Sequence, residues 1–184
     1  MKKKAFPLER VYQLLEPAPV VMVSTAIHGK PNIMTMAWYM MVDFMPPLIN
    51  CVISDRNYSF NAVMKTKELV INIPTVELAP TAVNIGKCSG AETDKFKKFG
   101  LTQLPAAHVQ APLIGECYAN VECKVISTRQ AKKYNIFMLE AVGAWVTPSK
   151  KRPITFHHWG NGKFVADGKV FKLPFRSIKD YDHG

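Results

Sequence analysis

The 184-residue sequence is short of acid, short of cysteine and without long charge-free apolar stretches. Each shortage removes a class of function. The run from Pro31 to Val42 is only twelve residues and ends at Asp43, too short for a membrane helix, which needs about 20. The opening Met1-Lys2-Lys3-Lys4 resembles the start of a secretion signal, but Glu9 and Arg10 interrupt the apolar core such a signal requires. The four cysteines, Cys51, Cys88, Cys117 and Cys123, form no CxxC pair, which argues against zinc and thioredoxin-type chemistry. A reducing, cytoplasmic setting with four buried, unpaired thiols is the expectation. GxGxxG, GxSxG and HExxH are missing, so neither a Rossmann fold nor the commonest hydrolase sites are indicated. His157 and His158 are adjacent. On a strand they would point to opposite faces, so no metal site is expected.

Fourteen acidic residues face 24 basic ones, a formal net charge of +10. This favours anionic partners without naming one. The charge is dispersed, with tight basic runs only at Lys2-Lys3-Lys4 and Lys150-Lys151-Arg152. Basic and aromatic residues do not interleave as a single-strand-binding surface would require. A pocket for a phosphorylated small molecule therefore ranks above nucleic acid, and both rank below simple solubility.

What is present is an ordinary globular balance, 48% hydrophobic and 21% charged. The length suits one domain over 1–184, with an N-terminal tail at 1–7 and a C-terminal extension from about 153. Leu8 to Leu15 reads as a helix closed by Pro17 and Pro19. Val20 to Ala26 and Ile33 to Met41 read as a hairpin about His28-Gly29-Lys30-Pro31-Asn32. Leu48 to Ser54 and Leu69 to Ile73 are further strands, with a helix over Tyr58 to Thr66 between them. Helices follow at Val76 to Ile85 and Thr93 to Phe99. Ala119 to Ser127 is a strand, and Tyr134 to Val146 a long one with Phe137, Leu139, Ala141, Gly143 and Trp145 on one face. Its second apolar face suggests cover on both sides. Phe164 to Phe171 reads as a hairpin turning at Asp167-Gly168. The sum is a mainly β fold with inserted helices, an antiparallel barrel.

Three segments could carry chemistry. Arg56 precedes a helix start at which Ser59 reads as the cap, a combination suited to phosphate; the plainer reading is a capped helix with a solvated arginine. Asn32 and Thr35 break the apolar pattern of their strand, and Trp38 could stack on a flat ligand, although strand aromatics are more often packing. Met34, Met36, Met40, Met41 and Met45 crowd the same region and suit either core or a subunit contact. Ser89 and Gly90 can offer backbone N–H groups, and Lys95 sits in the first turn of a helix, where a cation is unfavourable unless something negative compensates it.

The segments Gly29-Lys30-Pro31-Asn32-Ile33-Met34-Thr35-Met36-Ala37-Trp38, Pro46-Pro47-Leu48, Arg56-Asn57-Tyr58-Ser59, Glu68 to Pro74, Cys88-Ser89-Gly90, Asp94-Lys95-Phe96 and Ala111-Pro112-Leu113-Ile114 resemble, in order and spacing, the flavin reductase-like family with the FMN-binding split barrel, on its flavoredoxin-like branch. The resemblance covers roughly residues 7 to 146. It implies a split β-barrel homodimer carrying non-covalent FMN near the subunit interface. It implies that Asn32, Thr35, Met36, Ala37 and Trp38 line the isoalloxazine ring, and that Arg56 and Ser59 hold the phosphate. Asn72, Ser89, Gly90 and Lys95 complete the implied site, Lys95 tuning the ring or anchoring the phosphate. Two activities follow: an oxidoreductase in which NADH or NADPH reduces the flavin, or an electron carrier reduced by a ferredoxin-like partner.

Overall fold

The computed structural model describes residues 2–149 and 151–174. Lys150 of the second basic run and residues 175–184 of the C-terminal extension lie outside the described residues. In chain order the elements are β1 (Lys4–Ala5), α1 (Tyr12–Leu15), β2 (Val21–Ile27), β3 (Lys30–Met36), β4 (Tyr39–Phe44), β5 (Pro47–Val52), α2 (Tyr58–Thr66), β6 (Glu68–Ile73), α3 (Ala79–Gly86), α4 (Lys95–Phe99), β7 (Gln103–Leu104), β8 (Leu113–Ile114), β9 (Ala119–Ser127), α5 (Ala131–Tyr134), β10 (Ile136–Val146), β11 (Phe156–Gly160) and β12 (Lys163–Ala166). The main sheet runs β3-β2-β6-β9-β10-β5-β4, with β1 added to β10, and its ladders are antiparallel.

Alternation along β2 builds two cores, because successive side chains leave opposite faces of a strand. Val21 and Val23 enter the main core with Ile49, Cys51, Leu69, Ile71, Phe137 and Leu139. Val20 and Met22 enter a second core with Ile33, Ala82, Ile85, Phe96 and Phe156. Burial of each such aliphatic or aromatic side chain contributes about 1.5–3 kcal/mol. The second core packs α3 and α4 against β3, and this packing shapes the cleft described below.

Four sequence expectations change. The sheet does not close into a barrel: β3 and β4 are its two edges and do not pair with each other. The single strand expected over Ile33 to Met41 is broken at Ala37-Trp38, where the chain passes from one edge to the other. The long strand β10 carries a register shift between Ala141 and Gly143. Beyond it Ala144, on the face opposite to that expected, joins the main core, while Trp145 packs in a smaller cluster with Val70 and Val109. The C-terminal hairpin turns at Gly160-Asn161-Gly162, all with positive φ, rather than at Asp167-Gly168. Asp167 is engaged elsewhere: its carboxylate accepts from Thr155 N at 3.0 Å and Thr155 Oγ1 at 2.7 Å, and bonds His157 Nε2 at 2.8 Å.

Candidate functional site

A cleft of about 290 Å³ opens where β3, the start of α2, the end of α3 and the start of α4 converge. It is lined by Asn32, Thr35, Arg56, Ser59, Ser89, Gly90 and Lys95, together with Met34, Asn57, Tyr58, Gly86, Lys87 and Cys88. Among the described residues, three cations and no carboxylate face this space. No acidic group pairs with Arg56 within ion-pair distance among the described residues.

The helix α2 begins at Tyr58, and Asn57 rather than Ser59 occupies the cap position, with extended φ −78° and ψ 134°. Ser59 lies in the first turn, buried, and its Oγ accepts from Asn32 Nδ2 at 2.9 Å. This bond aims Asn32 into the cleft. Asn32 is 6% exposed, and its Oδ1 is buried with no hydrogen-bond partner. An unmet buried acceptor of this kind costs about 1–3 kcal/mol unless something donates to it. Gly90 packs against the same atom: a Cβ there would stand 2.1 Å from Asn32 Oδ1 and 2.8 Å from Tyr58 Cδ1. Only glycine lets the Ser89-Gly90 backbone approach the cleft this closely.

Lys95 is 5% exposed. Its Nζ donates to Ile33 O at 2.8 Å and to Ile85 O at 3.0 Å, bracing α4 against β3 and against the last turn of α3. Carbonyls at a helix C-terminus carry partial negative charge. They supply the compensation that a cation at the start of α4 lacks from its own helix. Burial lowers the Lys95 ammonium from its ordinary pKa, with the nearby Cys88 thiol acting weakly in the opposite sense. The Thr35 hydroxyl donates to Ala82 O, so Thr35 also ties β3 to α3.

An adjoining recess of about 310 Å³ shares Met34, Thr35 and Asn57 with the cleft and continues over Met36, Ala37, Trp38, Val52 and Ser54. Trp38 is 72% exposed there. The arrangement offers a cationic, N–H-rich end for a phosphate and an aromatic end for a flat ring. These are the two chemical demands of FMN, and the orphaned Asn32 oxygen and the Gly90 approach fit such an occupant.

The structure thus brings together nearly all of the expected site residues. It does not bring Asn72. That side chain is fully buried between strands, donating to Met22 O, Ser24 Oγ and Val70 O and accepting from Ile114 N and Asn120 Nδ2. Its polar atoms hold β2, β6, β8 and β9 together. Six residues that line the cleft were not among those expected, Met34, Asn57, Tyr58, Gly86, Lys87 and Cys88. The signal for Lys87 was its position beside Ser89-Gly90. Cys88 departs from the expected burial of all four thiols, being half-exposed on the cleft. Burial pushes the Cys51 thiol up to about 12 and raises Cys117 and Cys123 as well.

A model of the flavin reductase like domain matches residues 14–164. The chain belongs to that family. Among its relatives, an uncharacterized protein of Archaeoglobus fulgidus is 33% identical over 111 residues, 60% of this chain and 63% of that relative. The uncharacterized protein YddH of Escherichia coli is 28% identical over 88% of this chain and 93% of its own length. The crystal structure of an FMN-binding domain of a flavin reductase-like enzyme from Shewanella baltica superposes with a TM-score of 0.85 at 27% identity, covering 94% of this chain and 98% of that one. Flavoredoxin of Desulfovibrio vulgaris gives 0.77 at 27% identity, over 88% and 93%. The fold is therefore that of the FMN-binding, flavin reductase-like proteins, an antiparallel sheet with a few helices. No helix among the described residues is long and apolar enough to cross a membrane.

Proposed function

We propose that the chain binds FMN in this cleft and is a redox flavoprotein, an oxidoreductase that takes electrons from NADH or NADPH. The observation that carries the reading is the cleft's three cations without a carboxylate, beside an unmet buried acceptor and an exposed tryptophan. Arg56, Lys87 and the free N–H groups at the start of α2 hold the phosphate. Ser59, Asn32 and the Ser89-Gly90 backbone bond the polar chain, and Trp38 with Ala37 packs on the ring. Bound FMN supplies the electron chemistry. The protein's part is to bind the cofactor, orient it and exclude water.

Lys95 has two of its three N–H bonds committed to carbonyls, so in this reading it is a phosphate-side anchor. Lys95→Met is expected to weaken FMN binding roughly tenfold, the loss of one charge-assisted bond, while the reduction potential of the bound flavin holds. A lowered potential at unchanged affinity for oxidised FMN makes Lys95 a ring-tuning residue instead. No change in either leaves it a brace between Ile33 and Ile85.

The competing reading is an electron carrier reduced by a ferredoxin-like protein, favoured by the likeness to flavoredoxin at 27% identity. Anaerobic mixing separates the two. Bleaching of bound flavin by NADH or NADPH is expected for the reductase. Bleaching by dithionite alone overturns that activity and leaves the carrier.

The proposal includes a cytoplasmic homodimer. Of the methionine-rich segment, Met34 and Met36 are buried within the chain, whereas Met40, Val42, Phe44 and Met45 stand exposed on the edge strand β4 and its turn. An exposed apolar edge of this kind marks a contact surface. Light scattering is expected to give twice the 20.7 kDa chain mass. A particle of single-chain mass at micromolar concentration with flavin bound contradicts the dimer.

A further inference from the structure

The base of the C-terminal hairpin β11–β12 is fastened to the body of the chain, and one imidazole joins the fastening. Thr155, buried ahead of β11, and Asp167, just after β12, close the hairpin. Asp167 N donates to Thr155 O at 2.9 Å, and the Asp167 carboxylate accepts from Thr155 N and Oγ1. Between Thr155 and His157, Phe156 is fully buried in the second core with Ile33, Ala82, Ile85 and Phe96. That core backs the cleft-forming elements β3, α3 and α4. Val20 N donates to Phe156 O at 2.8 Å, so the segment between α1 and β2 runs alongside β11.

His157 lies between two acceptors. Its Nε2 is 2.8 Å from Asp167 Oδ1, and its Nδ1 is 3.1 Å from Ala18 O. Neither a carboxylate nor a backbone carbonyl has a proton to give. A neutral imidazole carries one N–H and makes one of these bonds; the doubly protonated ring makes both. With the Asp167 bond kept, the neutral ring turns a lone pair toward the Ala18 oxygen. Ala18 sits in the left-handed region, φ 52°, which residues other than glycine rarely adopt. Its N–H donates to Leu15 O at 2.9 Å, and the next carbonyl, Pro19 O, accepts from Tyr39 Oη at 2.7 Å. The segment is thus held on the side of α1 and Tyr39 whatever the state of the ring. Its tie to the hairpin is the part that the second proton controls.

Asp167 stays an acceptor throughout. Burial works to raise its carboxyl, but bonds from Thr155 and His157, with Arg152 close by, outweigh burial and hold it below its ordinary value. Arg152 comes from the chain before β11 and meets the other carboxylate oxygen, Oδ2, at 3.4 Å. Among the described residues the remaining titratable groups around this point are Tyr118, just before β9 and within the field of Asp167 and Arg152, and His158, which packs on Phe164. Exposed Glu16 precedes Ala18 by two residues.

We propose that His157 is a pH-sensitive clasp: its second proton ties the C-terminal hairpin to the segment between α1 and β2, and loss of that proton releases the tie. The tie is fully made on the acid side of the histidine's titration and is lost as pH rises through it. Release frees the Phe156 strand to part from Val20 and from the core behind the cleft. None of this depends on what fills the cleft.

Amide exchange of the whole chain, read residue by residue by NMR and corrected for the intrinsic pH dependence of exchange, tests the clasp at about pH 5.5 and about pH 8, within and above the range in which histidine ordinarily titrates. In the wild type, protection of the Val20 amide is expected to fall roughly tenfold or more at the higher pH, the loss of a charge-assisted bond, while amides of β6 and β9 keep theirs. His157→Gln is expected to show the lower protection at both pH values, and His158→Gln to keep the wild-type dependence. The ring nitrogen shifts of His157 in the wild type read the proton directly, whether or not the variants fold. Both nitrogens are expected to carry protons at the lower pH and one at the higher. Val20 protection that does not change with pH overturns the inference, as does a pH dependence that survives His157→Gln or vanishes in His158→Gln. A His157 ring with a single proton at the lower pH, or with two at the higher, overturns it as well.

Discussion

Arg56→Ala is expected to weaken FMN binding by about 1.5–3 kcal/mol, the contribution of a hydrogen bond to a charged group, or roughly ten- to a hundredfold in Kd. The side chain is exposed, no carboxylate among the described residues pairs with it, and it stands at the entrance to α2 on the rim of the cleft. Its removal leaves the core untouched, so the thermal midpoint of the flavin-free chain should stay where it is. Arg56→Lys restores charge without the two-pronged geometry and should recover only part of the affinity. Titration of the apo-protein with FMN, followed by quenching of flavin fluorescence, measures the effect. Wild-type affinity in Arg56→Ala removes the phosphate from this end of the cleft.

Glu122→Leu is expected to cost about 3–5 kcal/mol of stability, enough to lower Tm by on the order of 10 °C in a chain of this size. Glu122 is fully buried on β9. Its carboxylate accepts from Ala107 N at 3.0 Å, from Trp145 Nε1 at 2.6 Å and from His108 N. It thereby fastens the segment before β8 to the sheet. At the same contact Gly143 admits His108 so closely that a Cβ would lie 2.6 Å from its ring. Leucine fills the volume but strands three donors, each costing about 1–3 kcal/mol when buried and unmet; the loop can recover part of this by turning toward water. Glu122→Gln keeps an acceptor and should lose less. A calorimetric midpoint for Glu122→Leu within about 2 °C of wild type contradicts this account of the loop's attachment.

Local chemistry made much of the fold readable. The helix over Tyr58 to Thr66 lies at the expected bounds, although Asn57 and not Ser59 caps it, and β2, β6 and β9 follow β-branched runs bounded by proline or polar residues. What was not readable depended on distant partners. Asn72 reads as a polar residue available to a ligand until Ser24, Ile114 and Asn120, far away in sequence, close around it. Lys95 reads as a misplaced charge until the end of α3 arrives to accept its proton bonds. Asp167 and Gly168 are a strong turn pair in isolation, but Thr155 and His157 claim the carboxylate. The shift in β10 between Ala141 and Gly143 follows from its pairing with β9, which the alternation of one strand does not encode. The cleft itself was legible as separate pieces, Asn32, Arg56, Ser59 and Ser89-Gly90, because each carries its chemistry locally.

In the proposed function the cationic cleft recognises a phosphate-bearing flavin. Parallel titration of the flavin-free chain with FMN and with riboflavin, which has the same ring and no phosphate, tests it most directly. FMN is expected to bind tighter by at least about tenfold, the contribution of one charge-assisted phosphate contact, with the difference shrinking in Arg56→Ala. Equal affinity for the two flavins in the wild-type chain contradicts it.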